Sequence, residues 1–380
     1  MGRKAETRKG RTPSPLRPAL LIAGIAIGAG ELGLPAAMAP AGYWPALLGT
    51  LLVYGATLAS GLLTVQLFLK SDGGDLPSLF RRHLGRAGAA IFNGSYFTLA
   101  LCLLVAYWSG LLGLIGRGSW GILAVAICGN ALFLGLRGDR TALLGQCNAV
   151  FVWGLVGSFL LLLAAGLCHG GQPGPVFSNW AKFPRGLPVI LCSFGYHQVI
   201  PLVCEQLRRD RRRIHLALAL GTALPLFFAI TLFTLAFRLF SQEELCRAAG
   251  AGLPLFALLR DRATPEFVFA VGRCFSILAI VTSLIALSLA LRGAMGDVFA
   301  ARKKLFAARE VLVLAPLPIA LLFPHLFLSV LGLCGGIFGN LIAGILPLTP
   351  FLARGRFRLR YLLLWSFFVA ILAIELFQLG

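Results

Sequence analysis

Two short stretches place side chains able to do chemistry inside otherwise apolar segments. In Ile25 to Pro35 (IAIGAGELGLP), Glu31 stands among Gly28, Ala29, Gly30 and Gly33. In Cys192 to Pro201 (CSFGYHQVIP), His197 follows Ser193, Phe194, Gly195 and Tyr196. A charged group at bilayer depth costs about 2.5–3.5 kcal/mol on insertion scales, so each of these side chains needs a partner or a neutral form. Groups of this kind carry protons or offset the charge of a ligand, and imidazole changes charge near physiological pH. The competing role is structural: a protonated Glu31 bonded to freed carbonyls, or a neutral His197 bonded to a local carbonyl. A Glu31–His197 pair across one proton-coupling site is the sharpest expectation, and it requires both side chains to share a face of the bundle.

The elements that must hold these groups are membrane helices. Of 380 residues, 58% are hydrophobic and 13% charged, and the mean hydropathy is +0.86. A soluble domain carries roughly 25% charged residues. The net charge of +20 comes from short clusters between apolar runs, the pattern of cytoplasmic loops and not of a nucleic-acid-binding surface. The nine cysteines form no CxxC or His-spaced pattern, so no metal, disulfide framework or cofactor is expected. The basic head and following apolar run resemble a signal peptide, but the run is long, carries Glu31 and lacks a persuasive cleavage site. It reads as an uncleaved first span.

Eleven apolar segments of spanning character follow from the charged and Pro/Gly punctuation. They are 19–38, 43–69, 87–115, 120–136, 142–168, 187–203, 214–240, 266–291, 306–323, 326–352 and 361–378. Residues 1–18 form a basic tail, and 19–380 form one polytopic domain. With the amino terminus inside, all but eight of the 34 Lys and Arg residues fall on the inner side. The eight are Arg117, Lys182, Arg185, Arg238, Arg247, Arg260, Arg262 and Arg273. This asymmetry sets an inner (plasma) membrane orientation with the carboxyl terminus outside. The outer connection 241–265 begins SQEE, a helix-capping pattern that predicts a short surface helix.

Segments one and six are interrupted alike: an apolar half, a Gly-containing polar break, then a second half with a proline. They head two blocks of five, 19–168 and 187–352, with segment 361–378 left over. Because five is odd, the second block enters from the opposite side, so the repeat is inverted. Matched Gly/Pro-interrupted spans point to a transporter's midplane site. Freed backbone groups survive in lipid only when neighbours or a ligand satisfy them. An amino acid zwitterion supplies both partners. Its carboxylate suits N–H groups at a half-helix start, and its ammonium suits carbonyls at a half-helix end. On this reading Gly28, Ala29, Gly30 and Gly33 serve the carboxylate, and Ser193, Phe194, Gly195 and Tyr196 the ammonium.

At this point the chain resembles the aromatic (hydroxy/aromatic) amino acid permeases of the amino acid-polyamine-organocation superfamily, which include bacterial tyrosine- and tryptophan-specific transporters. The resemblance rests on GIAIGAGELGLP (24–35), CSFGYHQVIP (192–201), LRRDRRRIHLALALGTALPL (207–226), AIVTS (279–283) and FPHLFLSVLGLCGGIFGNLIAGILP (323–347). It implies an all-α membrane protein with the leucine-transporter-type 5+5 inverted repeat, broken helices 1 and 6, and proton-coupled import of tyrosine or tryptophan. Family members usually carry an apolar residue, often methionine, where this chain has Glu31.

Other polar residues are secondary candidates. Adjacent hydroxyls at Thr282 and Ser283 could bind Na⁺ through oxygen, although such hydroxyls more often bond back to helix carbonyls. Asn93 and Tyr96, with Tyr107 and Trp108, could line an aromatic pocket. Asn340 could pair with a freed backbone group. Glu375 lies near the outer end of the last span. The rival functions are a permease for serine, threonine or another neutral amino acid, a channel, or an intramembrane enzyme. No ring of charge favours a channel, and no HExxH or framed nucleophile favours an enzyme.

Overall fold

A computed structural model describes residues 14–71, 74–116, 118–136, 141–168, 177–258, 266–299, 314–353 and 359–379. Within them the secondary structure is helical throughout. Among the described residues, nine helices are long and apolar enough to cross a membrane, and a helix pair bent by 43° passes the same test when taken as one span. That pair is α1 (Leu16–Ala26) and α2 (Leu34–Met38), joined through a 3-10 turn at Ala29–Gly33. The expected ninth segment, 306–323, lies partly outside the described residues. Its described end is a helix, Pro316–Leu322. The basic clusters at 1–13, 300–313 and 354–358 also lie outside them.

The first span breaks where the sequence cannot sustain a helix. Ile27 is extended and Gly28 follows at φ −168°, ψ −159°. The chain then tightens into the 3-10 turn, and Pro35 sits at the second position of α2, where its missing N–H costs no helical bond. The sixth span repeats this order. Here α7 (Leu187–Ser193) ends at Phe194, a 3-10 turn covers His197–Val199, and α8 (Ile200–Gln206) restarts with Pro201 at its second position.

Around these two spans stand α3 (Tyr43–Leu69), α4 (Leu76–Ile115), α5 (Ser119–Leu136), α6 (Thr141–Cys168) and α9 (Arg211–Leu239). The expected third span, 87–115, is preceded by a further helical stretch, set off from it by a non-helical Gly85. Asp75 accepts a hydrogen bond from Ser78 N at 3.0 Å, Pro77 occupies the first turn, and α4 runs from Leu76 through a kink at Gly85, where φ is 72°. The preceding stretch is driven by burial of Leu76, Leu79 and Phe80. The outer surface helix is present as α10 (Gln242–Gly250), with a reciprocal Ser241–Glu244 capping box. Gln242 Nε2 donates to Ala39 O at 2.9 Å and to Phe177 O at 3.0 Å, tying this helix to the end of the first span.

The remaining elements are α11 (Leu255–Leu258), α12 (Glu266–Phe299), α13 (Pro316–Leu322), α14 (Leu326–Leu333), α15 (Leu346–Ala353) and α16 (Leu359–Leu379). Between α14 and α15 the tenth span is π-helical at Cys334–Gly339 and Leu341–Ile345. The expected turn at Pro324–His325 separates α13 from α14, and Ser109 Oγ donates to Pro324 O at 2.8 Å. The main packing pairs set α12 on α6, α1 and α3 on α9, and α7 on the π-helical stretch.

The arginine cluster LRRDRRR also has a structural role. Arg208 and Arg209 adopt positive φ, 51° and 62°. The Arg209 guanidinium donates to Phe68 O at 2.9 Å, Leu69 O at 3.2 Å and Ser71 O, and lies 5.4 Å from the Phe68 ring centre. It therefore satisfies the orphan carbonyls that end α3. Arg209→Ala is expected to destabilise the protein by about 1.5–3 kcal/mol, the scale of a charged hydrogen bond. Thermal unfolding of purified protein would register this, and Arg212→Ala serves as the control.

Candidate functional site

The two breaks meet. A Cβ placed on Gly30 would lie 3.3 Å from Ser193 Oγ, so the first break faces the end of α7. A Cβ on Gly28 would lie 2.6 Å from Ser283 Oγ, so the same break also faces α12. Ala29 N donates to Ser283 Oγ at 3.0 Å. Glycine permits both approaches because any side chain would occupy the gap. Gly28, Ala29, Gly30, Ser193 and Ser283 thus form one contiguous polar lining contributed by three spans.

Glu31 and His197 occupy the 3-10 turns that follow the respective breaks, which are corresponding positions. Both are buried, at 3% and 1% exposure. Glu31 Oε1, Ser193 Oγ and both ring nitrogens of His197 have no hydrogen-bond partner. The expected Glu31–His197 pair is therefore not joined in this state. His197 instead stacks on Tyr196, with ring centres 4.6 Å apart. Neither local structural alternative operates on these atoms, since no backbone carbonyl takes the His197 N–H. Buried polar atoms are nearly always paired, so four unpaired ones at two apposed breaks call for a ligand, a proton or water.

The other expected residues divide between lining and support. Gly33 packs away from the polar lining, and its Cβ would meet Leu331 Cδ1 at 2.8 Å and Val189 Cγ1 at 3.5 Å. Tyr196 is an anchor: its hydroxyl donates to Thr57 O at 3.0 Å and abuts Gly61 on α3. Phe194 is buried with its ring 6.0 Å from that of Tyr54. A Cβ on Gly195 would lie 3.3 Å from Cys192 O, within its own turn. Thr282 Oγ1 donates to Leu278 O at 2.8 Å and Ala279 O at 3.1 Å, in its own helix. The adjacent hydroxyls of Thr282 and Ser283 therefore have different partners.

Tyr96 stacks on Phe92 and meets Phe97 edge-on, in the cluster that also holds Tyr196. Asn93, half-buried, lies one helical turn before Phe97. Asn340 Nδ2 donates to Gly336 O at 3.0 Å and to Phe368 O at 2.7 Å, joining the tenth span to α16. Its Nδ2 braces these helices, and its Oδ1 has no hydrogen-bond partner. Ser193 as a direct neighbour of Gly30 was legible only as a shared position within two similar breaks. Nothing in the sequence signalled Arg209 as a helix cap.

A cavity of about 420 Å³ lies between α5, α6 and α12, lined by Leu132, Leu143, Phe151 and Leu284 among others. Its described lining residues carry no charged or hydroxyl side chain. Among the described residues, no group of three or more His, Cys, Asp or Glu is placed to hold a metal ion.

Comparison with known proteins places this geometry. The Tyrosine-specific transport system 2 of Haemophilus influenzae is 27% identical over 83% of this chain and 82% of its own. A crystal structure of a mutant manganese transporter from Eremococcus coleocola superposes with a TM-score of 0.58 at 14% identity, covering 99% and 88% of the two chains. MhsT in complex with L-phenylalanine superposes with a TM-score of 0.52 at 16% identity, covering 97% and 99%. These likenesses establish the leucine-transporter-type fold with broken first and sixth helices, and such a fold does not by itself specify a cargo. The profile of the tryptophan/tyrosine permease family matches residues 11–374, and the chain belongs to that family.

Proposed function

We propose that this protein is a secondary transporter that imports an aromatic amino acid, tyrosine or tryptophan, together with a proton, by alternating access around the two breaks. The carrying observation is the set of unpartnered buried atoms of Glu31, Ser193 and His197 in the two broken spans, whose breaks meet at Gly30 and Ser193. Backbone N–H groups at Gly28 and Gly30 take the carboxylate. Ala29 joins them when its bond to Ser283 opens. The Ser193 hydroxyl and the carbonyls of the Ser193–Tyr196 turn take the ammonium, and Glu31 and His197 carry the proton. Membership of the tryptophan/tyrosine permease family supports the aromatic substrate class. The positive-inside asymmetry supports an inner-membrane orientation with the amino terminus cytoplasmic and the carboxyl terminus outside. The two halves of the inverted repeat are 19–168 and 187–352.

Alternating access follows from the chemistry of the breaks. A bound zwitterion satisfies backbone groups in both broken spans at once, so its presence and absence favour different relative placements of the half-helices. The test is uptake of labelled tyrosine, tryptophan and serine into proteoliposomes under an imposed proton or sodium gradient. Proton-driven accumulation of tyrosine or tryptophan is expected. Preference for serine, or accumulation driven by sodium alone, would overturn the reading.

A further inference from the structure

The last helix, α16, lies outside the two repeats and is mostly turned away from the bundle. Its buried residues are Tyr361, Phe368, Ile371 and Glu375, a single inward stripe. One member of that stripe is a carboxyl. Glu375 is 5% exposed and lies over the glycines of the tenth span. A Cβ on Gly332 would meet Glu375 Oε1 at 3.2 Å and Oε2 at 3.4 Å. A Cβ on Gly336 would meet its Cγ at 2.6 Å and Oε2 at 3.1 Å. Lower down, Asn340 bonds Phe368 O. The glycines supply room and no donor, and no described residue donates a hydrogen bond to the Glu375 carboxyl.

Charged neighbours do not compensate it. Cys334, on the π-helical stretch, is within electrostatic reach. The 3-10 segment Trp180–Gly186 packs on α16 and carries Lys182 and Arg185, and Gln378 Nε2 of α16 donates to Arg185 O at 3.5 Å. The described residues of α7 and α15 that pack on α16 bring no charged side chain; α7 brings Cys192. Among the described residues nothing supplies a counter-ion to a carboxylate in this groove, and proteins resolve a largely buried, uncompensated charge by protonation or by water entry.

We propose that Glu375 is a second protonation site, distinct from the central site, and that its proton holds α16 docked on the π-helical stretch of the tenth span. This stretch is also the direct neighbour of the sixth-span break. Gly335 abuts Pro188 O, and its Cβ would meet Cys192 N at 2.7 Å, one residue before Ser193. Loss of the Glu375 proton therefore loosens the wall behind Ser193.

Infrared difference spectra of the purified full-length protein in bilayers, stepped across pH without substrate, test the first part. A protonated-carboxyl C=O band should titrate, vanish in Glu375→Gln and persist in Glu31→Gln. An unchanged spectrum in Glu375→Gln would overturn the site. The second part rests on the transport reading above and uses uptake against pH. Glu375→Gln, which keeps the shape and cannot ionise, should lose a smaller fraction of its low-pH uptake rate at alkaline pH than the wild type does under the same imposed proton gradient. An alkaline fall in Glu375→Gln equal to that of wild type would overturn the coupling. Because the spectra require no substrate, an error in the transport reading leaves them unaffected.

Discussion

Replacing Gly335 with alanine is expected to destabilise the protein by roughly 3 kcal/mol or more and to abolish uptake, the upper end of overpacking costs. The added Cβ would lie 2.7 Å from Cys192 N and closer still to Pro188 O. These are backbone atoms of α7, so no rotamer change relieves the contact. Either α7 moves, displacing Ser193 from Gly30, or the π-helical stretch moves, displacing α16. Gly94→Ala is the matched control, because nothing lies within 4 Å of its Cβ position on α4. There the substitution should be neutral or stabilising by about 0.5–1 kcal/mol, the helix-propensity gain over glycine. Thermal unfolding and uptake measured on both variants would check the pair. Equal stability of the two would mean that the tenth span does not brace the sixth-span break.

Glu31→Gln is expected to uncouple transport from the proton gradient. Glutamine keeps the size of the side chain and its place in the 3-10 turn, so the break and its contact with Ser193 should persist. It cannot take up and release a proton. Exchange of labelled for unlabelled aromatic amino acid across the membrane should therefore continue, while accumulation under an imposed proton gradient falls to parity with the external concentration. Glu31→Met, which replaces the ionisable group with an apolar one of similar length, should give the same loss if Glu31 is the carrier here. Undiminished proton-driven accumulation in both variants would remove Glu31 from the mechanism and leave His197 as the candidate. The corresponding positions of these two residues, each in the turn after its break, make that comparison direct.

Much of the scaffold was readable from residue chemistry. Gly28, Pro35, Gly195 and Pro201 declare where helices stop and restart, because glycine tolerates the break and proline suits a first turn. Ser241 and Glu244 declared the outer helix through a local capping pattern, which depends on four consecutive residues and nothing distant. The helical stretch that precedes the Gly85 break in α4 was missed although Asp75, Pro77 and Ser78 carried a local cap signal, because the basic residues Arg81, Arg82 and Arg86 read as loop.

Contacts between spans were not readable, and the reason is the solvent. In water, an apolar stripe on a helix marks its inward face. In lipid, the outward face is as apolar as the inward one, so periodicity loses this information. Glu375 therefore read as an interfacial side chain until the packing of α16 placed it over Gly332 and Gly336. Asn340 and Arg209 likewise became braces only when Phe368 O and the end of α3 arrived beside them.

From its sequence alone, this chain was determined to be a polytopic helical membrane protein with two matched breaks and an ionisable residue in each. That much follows from hydrophobicity, glycine, proline and the cost of charge in a bilayer. Tertiary structure alone decided that Gly30 meets Ser193, that the Ala29 N–H bonds Ser283, that Gly33 and Tyr196 pack against neighbouring spans, and that Glu31 and His197 stand unjoined. These are contacts between spans far apart in sequence, and the local rules that shape each helix do not specify which neighbour it meets.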